Sequence, residues 1–88
     1  MIFYKMAITK TIKTDKIEIV GDFKHIQVRE ATIIQEDGVE LTRSFHRYVL
    51  SPGDSLVSQS ADIQSIANAV WTEEVINAYS ASLTNPQV

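Results

Sequence analysis

Eighty-eight residues with 44% hydrophobic and 22% charged side chains make one small globular domain, too apolar for a disordered chain. With no cysteine in the chain, disulfides and thiolate metal sites are excluded, and extra stability must come from packing or a partner subunit. All eight Lys and Arg lie within 1–50 beside seven acids, whereas 51–88 holds four acids and no Lys or Arg, a poor surface for phosphate or nucleic acid.

The opening run Met1-Ile2-Phe3-Tyr4-Lys5 is too short for a signal peptide, and Met6-Ala7 offers a second start. Residues 1–5 therefore read as an extension or frayed end, better suited to docking an apolar tail on a neighbour than to stacking Phe3 and Tyr4 on a base. Nothing approaches the roughly 18–20 apolar residues that cross a bilayer, so no membrane association is expected.

The fold class expected is α+β: an antiparallel β-meander of about four strands over residues 6–50, then two short helices within 55–84. Ala7–Lys13 alternates Ile8 and Ile12 with Thr9 and Thr11, the period of a strand. Thr14-Asp15-Lys16 reads as a turn and Lys16–Val20 as a second strand, broken by Gly21-Asp22. Lys24–Gln35 and Val39–Leu50 then flank Glu36-Asp37-Gly38, whose Asp-Gly pair suits a type I′ hairpin because both central residues need positive φ.

With Asp37-Gly38 as the turn and no bulge, one face carries Ile26, Val28, Ile34, Leu41, Phe45 and Val49, and this is the expected core face. Glu30 then faces Phe45, with Arg43 and Arg47 as diagonal neighbours, a carboxylate between two guanidiniums. A bulge near Glu30-Ala31 is the alternative and would turn Ala31 and Ile33 inward. The second face carries Gln27, Arg29, Ile33, His46, Tyr48 and Leu50 and has an apolar strip of its own, which marks these six as a candidate interface.

Beyond Ser51-Pro52-Gly53-Asp54 the composition turns helical, with Leu56-Val57 expected to tuck beneath the helices. Ser60 caps a helix over Ala61–Val70 with Ile63, Ile66, Ala67 and Val70 as its apolar stripe. A break at Trp71-Thr72 starts a second helix over Glu73–Leu83, capped by Thr72, with Val75, Ile76, Tyr79 and Leu83 inward and Asn85-Pro86 as its stop. Trp71 reads as a core plug at the junction.

No catalytic set stands out. His25 and His46 are the only histidines and lack the acids to complete a metal site. Ser44 and His46 share a strand face but have no carboxylate behind the imidazole in this register, so they read as surface polar groups. Glu30, Arg43 and Arg47 form either a structural ion cluster or, facing a cavity, a ligand site. The three glycines are isolated turn residues, which excludes a phosphate-cradling loop. No metal and no cofactor are expected, and no enzyme activity.

The runs Met6-Ala7-Ile8-Thr9-Lys10-Thr11, Glu36-Asp37-Gly38-Val39-Glu40-Leu41, Arg43-Ser44-Phe45-His46-Arg47 and Ala69-Val70-Trp71-Thr72 resemble small uncharacterised proteins of tailed bacteriophages that infect marine cyanobacteria. The resemblance covers residues 6–88 and carries no functional residue with it. It implies a viral setting, in the host cytoplasm or the virion, where small α+β domains serve as repeated assembly parts. The expectation is therefore a non-enzymatic interaction or assembly module, homo-oligomeric. A binding domain for a host or viral protein is the alternative.

Overall fold

The β-branched alternation that begins at Ile8 runs without a turn to Val20. A computed structural model describes residues 7–84, with β1 (Ile8–Val20), β2 (His25–Glu36) and β3 (Val39–Leu50) followed by α1 (Ala61–Val70) and α2 (Glu73–Thr84). The class is α+β, with three antiparallel strands in one sheet, order β1-β2-β3, rather than about four. The expected turn at Thr14-Asp15-Lys16 is a β-bulge: Thr14 faces Glu30 and Lys16 faces Arg29, leaving Asp15 as the extra residue. The expectations for Met1–Lys5 and for Asn85-Pro86 concern residues outside the described ones.

The β2–β3 turn forms where the sequence puts it. Asp37 and Gly38 have φ of 51° and 84°, the paired positive values of a type I′ turn. Asp37 also exchanges hydrogen bonds with Ala7, which closes the start of β1 onto the hairpin. A second bulge then follows. Gln35 pairs with Glu40 but Ile34 pairs with Thr42, so Leu41 is an extra residue on β3.

That one residue reverses the expected faces of β3. Beyond Leu41, Tyr48 and Leu50 stand opposite Val28 and Ile26 on the side that the helices cover. Leu41, Phe45 and Val49, expected inward, are exposed. The core joins Ile26, Val28 and Leu50 to Ile63, Ala67 and Trp71, with Ile17, Tyr48, Leu56, Val75 and Ile76 packed around it. Burying the Ile26, Val28 and Ile63 side chains stabilises the fold by about 1.5–3 kcal/mol each.

Both helices begin as their caps dictate. The Ser60 hydroxyl accepts from the Ile63 N–H at 3.3 Å, and the Thr72 hydroxyl accepts from the Val75 N–H at 3.2 Å. Trp71 is buried between them, and its indole N–H donates to the Lys24 carbonyl at 2.7 Å. Two expectations for this half fail: Val57 and Leu83 are exposed, and the core takes Leu56, Val75 and Ile76 instead.

The helices reach only that end. The radius of gyration is 19.1 Å, against about 12 Å for a compact chain of this length. The rest of the sheet projects as a three-stranded blade with nothing from the described residues packed over it.

Candidate functional site: the open face of the sheet

Strand pairing assigns every side chain to a face. On the helix face lie Ile8, Ile12, Ile17, Ile26, Val28, Glu30, His46, Tyr48 and Leu50. On the open face, pairs run Lys16–Arg29–Arg47, Lys13–Ala31–Phe45 and Thr11–Ile33–Arg43 across the three strands. The alternative of a bulge near Glu30-Ala31 is not realised, so Ala31 and Ile33 stay on the face opposite Ile26 and Val28. They are nonetheless buried there.

The bulge at Asp15 organises this face. It turns the carboxylate toward Arg29, whose Nε and Nη2 donate to the two oxygens at 2.8 Å each. The guanidinium lies over the Phe45 ring, 4.5 Å from its centroid, so one residue is held by an acid and an aromatic face together. The Arg29 hydrogen bond, before any other effect, holds the Asp15 carboxyl below its ordinary range. Arg43 makes the equivalent two-pronged contact with Glu40, at 3.1 and 2.8 Å, and Glu40 is lowered for the same first reason.

The proposed Glu30, Arg43 and Arg47 cluster does not form. The Leu41 bulge sets Glu30 across from His46 on the helix face, while both arginines stand on the open face. The six candidate interface residues divide in the same way: Gln27, Arg29 and Ile33 on the open face, His46, Tyr48 and Leu50 on the other. Leu50 is buried in the core, and Tyr48 donates its hydroxyl to Gln59 at 2.8 Å. Burial of the ring first, and the nearby Glu30 charge second, raise the Tyr48 hydroxyl pKa.

The shift of register also gives His46 the carboxylate that the sequence reading denied it. Glu30 faces His46 directly, and Ser44 lies two residues away on the same face. Among the described residues no hydrogen bond joins the three, and His46 instead rests against Tyr48 with ring centroids 5.9 Å apart. His25 stands at the far end of the blade from the hairpin turn, edge-on to Phe23 and Tyr79, its Nδ1 buried without a partner. The two histidines do not meet. Among the described residues no set of three His, Cys, Asp or Glu could hold a metal, and no helix is long and apolar enough to cross a membrane.

What the open face does contain is a groove of about 250 Å³, lined among others by Lys16, Glu18, Gln27, Arg29, Arg47 and Val49. Sequence reasoning missed Lys16, Glu18 and Val49 as members of it, and Asp15 as the partner of Arg29. The only available signal was an Asp interrupting a β-branched alternation, which reads equally well as a turn. No protein-family model, no curated protein and no solved structure matches the chain.

Proposed function

We propose that the protein is a non-enzymatic assembly module that associates with further copies of itself through the open face of its sheet. The observation that carries this reading is the uncovered blade. Phe45 and Val49 on the open face are 46% and 55% exposed, and Ile12 on the other face is 57% exposed. A chain of this size has little stability to spare, and covering such a surface with a second subunit is a common way to widen the margin.

The edges of the sheet are poor places for that contact. β1 carries Lys10, Lys13 and Lys16 and the Asp15 bulge, and β3 carries Arg43 and Arg47 and the Leu41 bulge. Long cations and bulges on an edge strand oppose strand-to-strand addition. The faces are left. On the helix face the chain's own helices occupy one end, whereas on the open face α2 meets only the strand end at His25, through Tyr79, and the stretch from Gln27 to Gln35 is free.

A part made in many copies fits the resemblance to small phage proteins, and with it a place in the host cytoplasm or the virion. The test is mass in solution by multi-angle light scattering over a hundredfold concentration range. A mass at a multiple of 9.9 kDa is expected. A monomer throughout would overturn the reading and favour a partner of another sequence, sought by pull-down.

A further inference from the structure

Charge is distributed between the two halves in a way that specifies the partner surface. The open face presents Lys13, Lys16, Arg29, Arg43 and Arg47 against three carboxylates, Asp15, Glu18 and Glu40. Each of those carboxylates is already engaged within the chain, by Arg29, Lys16 and Arg43 respectively. Lys13 and Arg47 have no carboxylate within 4.0 Å among the described residues. Arg47 stands directly opposite Arg29, so two guanidiniums border the groove while only one is neutralised.

The helical half is the reverse. Residues 51–88 contain Asp54, Asp62, Glu73 and Glu74 and no Lys or Arg. Asp62, Glu73 and Glu74 are exposed, and among the described residues none has a cation within 4.0 Å. None of these acids pairs with an open-face cation of its own chain, and the helices pack mainly on the other side of the sheet.

We infer that the open face takes the acidic helical half of a second copy, with Glu73 and Glu74 set against Arg47, so that association is head-to-tail between unlike surfaces. The inference rests on the self-association reading above and adds its partner surface and polarity. Two open faces brought together would set a cation-rich surface against itself, and two helical halves would do the same with acids, both unfavourable. The unlike contact pairs them. It also sets the exposed Val49 and Phe45 of one copy beside a half that exposes Val57 and Leu83. A contact between unlike surfaces leaves each copy with one further surface of each kind, so the product is a ring or an open filament rather than a two-fold dimer.

The experiment is charge reversal on each surface, followed by mixing. Arg47→Glu and the double variant Glu73→Lys/Glu74→Lys are each checked for native circular dichroism and followed by light scattering, with Glu73→Gln/Glu74→Gln as a gentler form of the second. Each alone should weaken association about tenfold or more. Equimolar mixing should restore it, since the reversed face of one variant matches the reversed helices of the other. Raising salt to 1 M should weaken the wild-type contact as well. Retention of the wild-type mass by both helix variants would overturn the inference while leaving self-association intact, as would failure of the mixture to recover. A monomeric wild type would instead remove the reading on which it rests.

Discussion

The indole N–H of Trp71 donates to the carbonyl of Lys24 at 2.7 Å, joining residues 47 positions apart. The bond ties the junction of the two helices to the turn between β1 and β2, where Lys24 takes a φ of 58°. One buried side chain thus fixes where the helical half sits and leaves the rest of the sheet uncovered.

Trp71→Phe keeps most of the packing but strands that carbonyl, and should cost about 1–3 kcal/mol. Trp71→Ala should cost about 3–5 kcal/mol because a cavity is added. Urea denaturation followed by far-ultraviolet circular dichroism measures both. Equal losses in the two variants would mean that the hydrogen bond, and not the ring volume, anchors the helices.

Asp15 and Glu40 make stability depend on acid. Both carboxyls are lowered in the folded chain, first by hydrogen bonds from Arg29 and Arg43. The unfolded chain therefore takes up protons before the folded one does. The stabilisation is complete above about pH 5 and is lost as pH falls through the lowered folded-state values. Asp15→Asn with Glu40→Gln should lower the thermal midpoint at pH 7 and flatten its fall between pH 7 and pH 3. An unchanged slope would place the acid sensitivity elsewhere.

Gly38 has φ of 84° and open space where a Cβ would stand, so Gly38→Ala tests backbone conformation with no steric clash to confuse it. The left-handed conformation costs an L-residue about 1–2 kcal/mol. A loss of that size in the urea midpoint is expected, and no loss would show that the turn is free to change type.

Val49 is 55% exposed on the open face beside the groove. Val49→Lys should alter monomer stability by no more than about 0.5 kcal/mol, as exposed positions generally do. It should nevertheless weaken self-association in light scattering. Association at wild-type strength would move the contact off this part of the face.

His25 leaves its Nδ1 buried without a partner, between the rings of Phe23 and Tyr79. His25→Phe keeps an aromatic ring and removes the unsatisfied atom. A gain of about 1 kcal/mol in unfolding free energy is expected. A loss would show that the imidazole makes a favourable contact through its other nitrogen.

Sequence periodicity was enough for the strand character of residues 8–13, 17–20, 25–35 and 39–50, the Asp37-Gly38 turn and both helix starts. These are local matters. A positive φ pair asks for Asp-Gly, and a free N–H at a helix start asks for Ser60 or Thr72. The candidate site was legible only in part. The sequence pattern points to Arg29 and Gln27, which do line the groove, but puts His46, Tyr48 and Leu50 on the side opposite to the one they occupy. Each of those errors comes from Leu41, because one unpaired residue turns every later side chain of β3 over.

By itself, then, the sequence determined the element types, the hairpin turn, the caps and the separation of charge between the two halves, since each depends on neighbours a few residues apart or on composition alone. The tertiary structure decided what depends on strand pairing: one continuous β1 in place of two strands, the faces of β3, the Asp15–Arg29 pair and the separation of Glu30 from Arg43 and Arg47. A bulge costs little locally and is chosen by what the whole sheet can then bury. At Leu41 that choice placed Tyr48 and Leu50 beneath the helices and left the arginines of β3 on the open side.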